Sequence, residues 1–370
     1  MATYYVGPGG NDAADGLSWA NRFLTLNGAE DEPVAAGDTV WVAPGTYRET
    51  LTVDVSGTSG NIITYIGDET GEHTDGVGGY VRITASDNDQ TGARTTCITA
   101  SDKDYRAFRG FTFDSATSYG VYLTGGCSDW IIEDCSFGGH ISTGDAGILV
   151  NQVTPTNITI RRCAFLPSAG VGIEVIHTST TAASGLLIEN CAFIGRFYGV
   201  NFSYVDSGVV KDCTMCGCTG YGVRSQNAAA ESTMSVTNCR IFGNAYGLRA
   251  GILGHIVEDY NNVSGNGTDR TNVDAGAHST AYIEHVLPPL LLAGYIFPAP
   301  LFGALAPWSP VRALAGTGEA TDDLYGVTRP TISAKKSWGA VQYQPVERDA
   351  GTTYDTSAAS LEITNEGRAQ

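Results

Sequence analysis

Between Tyr119 and Ala250 the chain alternates apolar and polar residues in short runs that return in the same two wordings. The first reads YGVYL (119–123), AGILV (146–150), VGIEV (171–175), YGVNF (198–202), YGVRS (221–225) and YGLRA (246–250). The second lies between these, as EDCSF (133–137), RRCAF (161–165), IENCAF (188–193), VKDCTM (210–215) and TNCRI (237–241). Its cysteines, Cys135, Cys163, Cys191, Cys213 and Cys239, step by 28, 28, 22 and 26 residues. Alternation at period two is the mark of a short strand with one buried face. A repeat that drifts in length keeps its strands and varies its loops, which a stacked solenoid of strands tolerates. The pattern therefore predicts an all-β parallel β-helix, two or three strands to each coil, over residues 51–280.

The composition agrees with that fold. Charged residues make up 16% of the 370, and 47 glycines suit a chain that turns a corner several times per coil. A formal net charge of -18 excludes binding nucleic acid through its phosphates. MATYYVGPGG shows no basic stretch followed by an apolar run, which reads as synthesis in a cytosol without a secretory leader. Five of the nine cysteines recur at one inward position per coil. They are expected to form a stacked ladder of buried thiols, although Cys213, Cys216 and Cys218 together offer a metal as the alternative. No cofactor and no metal site is expected.

Residues 1–50 are expected to cover the open first coil, with strands at 4–6 and 39–42 and a capping helix from Phe23 to Ala36, broken near Pro33. Asp12 and Asp15 beside Gly16 suit either Asx hydrogen bonds in a turn or a calcium ion. The order of a YYV strand, a G-x-D-x-x-DG turn, a capping helix and GDTVWVAPGTY resembles the opening of the pectate-lyase-like right-handed β-helix superfamily. The stretch PWSPVRALAGTGEATDDLYGVTRPTISAKKSWGAVQYQ (307–344) is similar to the closing segment of many such proteins, save for the acidic residue usual after GA. The resemblance spans residues 1–344. It implies a right-handed, single-stranded solenoid of the kind that cleaves acidic polysaccharide in some members and builds bacteriophage virions in others. Residues 281–344 are expected to be a proline-rich extended segment and closing strands. From Val286 to Val311 the chain is uncharged, but six prolines exclude a membrane-spanning helix. Residues 345–370 read as a polar tail or the start of a further β domain.

In the first wording the residue between the two inward apolar positions must point outward. In coil order these are Tyr122, Leu149, Glu174, Asn201, Arg224 and Arg249. Tyr122, Glu174, Asn201, Arg224 and Arg249 form a candidate carbohydrate-binding row, aromatic at one end and basic at the other. No catalytic residue is assigned: Glu174 has no acidic neighbour on this row, while Glu133, Asp134, Glu189 and Asp212 recur at turns and read as structural. His140 with Asp145, or His177, could move protons, and Lys103, Lys211, Lys335 and Lys336 are the lysines available to a lyase.

Two function classes remain. One is a non-catalytic virion component, a tail spike, fibre or capsid-surface protein made in the host cytosol and released by lysis. It would contact other virion proteins and a surface polysaccharide, with a homotrimer expected. The other is a secreted polysaccharide lyase or glycoside hydrolase.

Overall fold

The computed structural model describes residues 1–281, apart from 32–33, 90–91, 139–144, 153–155, 178–184, 204–206, 227–232 and 253–254. The expectations for 282–370, including the apolar segment, the closing strands, Lys335 and Lys336, lie outside the described residues. So does His140.

The chain winds as a right-handed parallel β-helix with three strands in each regular coil. Its walls are three parallel sheets: sheet A of ten strands, from Thr3–Val6 to Ile256–Asp259; sheet B of nine, from Gly45–Tyr47 to Asn262–Ser264; and sheet C of nine, from Leu51–Val53 to Thr268–Thr271. The glycine-led wording forms sheet C. The cysteine-centred wording spans the corner from sheet A to sheet B. Among the described residues no helix is long and apolar enough to cross a membrane.

Like side chains meet like inside the bore. On sheet B, Phe113, Phe137, Phe165 and Phe193 stand in register, with ring centroids 5.0, 4.8 and 4.6 Å apart. The cysteine ladder runs beside them: Cys135, Cys163, Cys191, Cys213 and Cys239 are free and buried. The Cys163 thiol lies 3.3 Å from the Arg161 carbonyl and 3.6 Å from the Ile132 carbonyl one coil below, and the other four repeat that geometry. In the last coil Asn261 takes the ladder position; Cys239 N donates to its Oδ1 at 2.7 Å. The residue before each ladder position makes the corner in the left-handed region, as at Asp134 (φ 56), Asp212 (φ 55) and Asn238 (φ 55). That is why short polar side chains recur there.

The first glycine of the sheet C wording has a different cause. A Cβ on Gly172 would sit 2.5 Å from the Gly199 carbonyl oxygen and 2.5 Å from Cδ1 of Phe193. Close approach of backbone and aromatic stack fixes that position, so the glycine is what lets sheet B turn into sheet C.

The N-terminal cap differs from expectation. Phe23 is extended, donating from its N to the Tyr5 carbonyl at 2.9 Å and receiving Gly7 N at 2.9 Å, so it pairs with the first strand. Helical structure is confined to a 3-10 turn at Trp19–Asn21 and an α-helix at Leu26–Asp31. Asp12 binds the amides of Leu24 and Thr25 at 2.7 and 2.9 Å and the Thr25 hydroxyl, while Asp15 accepts from Leu17 N. Both carboxylates serve as turn and cap acceptors.

Each end of the bore holds a buried carboxylate–guanidinium pair. At the first end Glu30, from the α-helix, meets Arg106 at 2.8 Å with both side chains fully enclosed, and Tyr65 Oη donates to it at 2.7 Å. At the other end Glu258 takes an inward position and meets Arg270 at 2.8 Å, with Asn261 and Ser279 also donating to it. Strand interiors that would otherwise end on bare apolar side chains thus carry paired charges.

Candidate functional site

Register decides which outward side chains of sheet C become neighbours. Tyr122 pairs with Leu149, Leu149 with Glu174, Glu174 with Asn201, Asn201 with Arg224, and Arg224 with Arg249, one coil at a time. The five residues of the candidate row therefore lie on one line along the solenoid axis.

A second outward row flanks the first at the position before each glycine: Tyr119, Ala146, Val171, Tyr198, Tyr221 and Tyr246. The tyrosine rings of its upper end stack on one another, with centroids 5.1 Å apart for Tyr198 and Tyr221 and 4.8 Å for Tyr221 and Tyr246. In the second and third coils of this row the tyrosine is replaced by Ala146 and Val171. These two and Leu149 form a small buried apolar cluster on the outside of the wall, over which Tyr119, Tyr122, Ile176 and Tyr198 pack. Leu149 and Asn201 point outward yet are 3% and 2% exposed, so outward on this face does not mean solvated. The tyrosine row was visible in the repeated YG pair, but its part in the site was not read from the sequence.

The charged groups sit in unlike surroundings along the row. Glu174 is half-buried and accepts from Asn201 Nδ2 at 2.9 Å. Burial raises its carboxyl above the usual range, against the opposing effects of the Asn201 hydrogen bond and the Arg224 charge. Arg224 lies over the rings of Tyr198 and Tyr221, 5.3 Å from each centroid, and donates to the Tyr198 hydroxyl at 3.3 Å. Gln226, with its amide oxygen turned toward Arg224, accepts from Nη2 at 3.1 Å. Arg249 lies over Tyr221 at 5.1 Å and donates to its hydroxyl. Among the described residues neither guanidinium has a carboxylate at ion-pair distance.

Asp145 stands immediately before Ala146, at the same corner. It is 9% exposed, and its Oδ2 is buried without a hydrogen-bond partner. The phenol of Tyr119 is pushed up by burial, then by the charges of Asp145 and Glu174 and by Tyr122. On the row itself Glu174 has no acidic neighbour, as its spacing in the sequence implied; it pairs in register with Leu149 and Asn201.

The remaining candidates fall elsewhere. Lys211 is on sheet A, engaged with Glu189 at 3.1 Å. Cys213 belongs to the ladder, and Cys216 and Cys218 are buried, their thiols pushed up to about 11 and about 12 by that burial. The side chain of His177 is outside the described set.

Comparison with known proteins bears on the fold. The family profile described as "Right handed beta helix region" matches residues 52–183 and 96–267. The uncharacterized protein YwoF of Bacillus subtilis (strain 168) is 34% identical over 150 residues, which are 39% of this chain and 30% of that protein. The chain thus aligns with less than a third of this curated relative. Among solved structures, pectate lyase Pel9A superposes with a TM-score of 0.63 at 17% identity, over 93% of this chain and 97% of that one. The GH136 lacto-N-biosidase from Eubacterium ramulus gives 0.56 at 13% identity, over 72% and 56%. At these identities the superpositions establish a shared fold, one that carries both a polysaccharide lyase and a glycoside hydrolase.

Proposed function

The chain belongs to the right-handed beta helix family, and on that premise we propose that the outer face of sheet C binds a polysaccharide along the solenoid axis and acts on it, with Glu174 as the acid–base group. The observation that carries this reading is the setting of Glu174: a half-buried carboxyl whose burial favours its protonated form, bound by Asn201 and in line with two guanidiniums that, among the described residues, have no carboxylate at ion-pair distance. Aromatic rings take the apolar faces of sugar rings, Asn201 and Gln226 offer amides to hydroxyls, and Arg224 and Arg249 take an anionic substituent. Both hydrolysis and elimination need a group that delivers a proton to the departing glycosidic oxygen. A carboxyl with a raised proton affinity suits that task better than an exposed one.

The proposal extends the fold neighbours' chemistry to this chain, and it does not depend on a metal. A role in a bacteriophage particle, with a trimeric assembly, stays a proposal that no observation of the fold or of its neighbours favours; saccharide binding is common to both readings. The test is incubation with a panel of acidic and neutral polysaccharides. New reducing ends would report hydrolysis, and the ultraviolet absorbance of an unsaturated uronate would report elimination. Glu174→Gln should abolish product formation and retain binding. Binding by the unaltered protein with no product would sink the catalytic part and return the non-catalytic reading; no binding at all would sink the whole.

A further inference from the structure

Glu174, Asn201, Arg224 and Arg249 stand in register on four successive coils, so one line carries a carboxyl, an amide and two guanidiniums. Coils stack at about 4.8 Å, which sets the Glu174 and Arg224 positions about 10 Å apart along the axis. Between them lies protein and not water. Asn201 is 2% exposed, and its Nδ2 donates to Glu174 Oε1 at 2.9 Å. Two charges facing each other across a buried amide interact more strongly than two charges separated by solvent. Burial raises the Glu174 carboxyl, while the Asn201 hydrogen bond and then the Arg224 charge pull the other way.

We propose that this face couples anion capture to protonation: an anion seated on Arg224 and Arg249 draws a proton from solvent onto Glu174. The coupling rests on the saccharide reading above and adds its regulation. A bound anion neutralises the guanidinium that favours the ionised carboxyl, and it brings a negative charge onto the same line. Both changes favour the O–H form. The proton leaves water or buffer and forms one O–H bond on the carboxylate; no other bond changes. The site thereby loads its acid when the anionic part of a substrate is in place, whereas a neutral sugar leaves the two arginines as they were. Reciprocity supplies the converse, that protonated Glu174 tightens anion binding by the same factor. At about 10 Å that factor is roughly two- to tenfold. The neighbouring groups do not supply it. Leu149 and Asn201, the partners of Glu174 in register, do not titrate. Tyr119, Tyr122 and Tyr198 pack on the apolar cluster beside it, and phenols ionise far above carboxylates. Asp145 precedes the strand one coil below, on the side away from the arginines.

Isothermal titration calorimetry with dextran sulfate tests this, because a sulfate ester keeps its charge through the carboxylate range and any linked proton belongs to the protein. Titrations at low salt in two buffers of unlike ionisation enthalpy count the protons taken up on binding. The unaltered protein should take up protons in the pH interval where Glu174 ionises, and its affinity should rise roughly two- to tenfold as pH falls through that interval. Glu174→Gln should bind at the tighter limit throughout and take up none. Should that variant fail to fold, Arg224→Met, which removes the charge that acts on the carboxyl, should lose most of the uptake. Binding without proton uptake, or an uptake that both variants keep, overturns the coupling and leaves the polysaccharide site standing. Failure of dextran sulfate to bind also overturns the coupling; the proposed function falls with it only if the polysaccharide panel shows no binding either.

Discussion

Sheets A and C are built by the same coils, yet their outer faces treat charge in opposite ways. On sheet A the row Arg109, Glu133, Arg161, Glu189 and Lys211 stands in register and alternates in sign from coil to coil. Glu133 is bound by Arg109, Arg161 and Arg162, and Lys211 closes on Glu189. Every charge of that row meets its opposite one coil away. On sheet C the arginines lie on tyrosines, the one carboxylate of the row, Glu174, stands two coils from Arg224, and only the amide of Asn201 lies between. Stacking at about 4.8 Å makes each outward residue the nearest neighbour of its equivalents. Alternating signs along a row therefore neutralise it and stabilise the solenoid, whereas segregated signs leave a field for a ligand to complete. Local neutralisation, more than the mere presence of charge, separates a structural face from a candidate binding face.

Substitutions can break this contrast. The largest effect is expected on sheet A. Glu133→Ala removes a nearly enclosed carboxylate from three guanidiniums and should lower unfolding free energy by about 2 kcal/mol, less than a fully buried pair because the arginines are partly solvated. Urea unfolding would measure it, and polysaccharide binding should not change. If binding fell as far as stability, the two faces would not be independent.

Next in size, Arg224→Ala with Arg249→Ala should weaken binding of an anionic polysaccharide at least tenfold, about 1.4 kcal/mol. The urea midpoint of this double variant should correspond to a stability within about 1 kcal/mol of the original. A loss of stability larger than the loss of binding would place these arginines with the structural row.

Glu174 sharpens the comparison through pH. Its folded carboxyl is raised above the ordinary 4.5, so the folded state holds the proton more tightly than the unfolded one. The corresponding stabilisation is present below the ordinary value and is lost as pH rises through the folded value. Glu174→Gln should therefore gain in melting temperature relative to the unaltered protein as pH rises from the ordinary carboxylate value through the folded one. A difference flat across that interval would remove the perturbed carboxyl from the argument. The smallest effect is expected for Lys211→Met at the end of the sheet A row, below about 1 kcal/mol, because only one partly exposed pair is lost; chemical unfolding would again report it.

The sequence determined the repeat and, with it, most of the architecture. Alternation at period two assigned Val121, Ile148, Ile173 and their equivalents to the bore, and the drifting period required that loops absorb the differences in length. Once coils stack, like positions must coincide, so the cysteine ladder and the row from Tyr122 to Arg249 were both legible as lines of residues. The place of GDTVWVAPGTY in the first coils was legible through its resemblance to the opening of the β-helix superfamily.

The tertiary structure decided what repetition cannot encode. The position of Phe23 beside the first strand shortened the expected helix, because a backbone pairing partner from a distant segment overrides local helical preference. The two plugs, Glu30 with Arg106 and Glu258 with Arg270, break the pattern at its ends, and their partners are remote in sequence. Whether an outward residue is wet depends on what lies sideways from it: Leu149 and Asn201 are outward by alternation yet buried, Leu149 in an apolar cluster on which Tyr119, Tyr122 and Tyr198 pack. Periodicity fixes direction from the axis, a property of each strand alone; burial, charge partners and proton affinity depend on neighbours that the folded chain alone brings together.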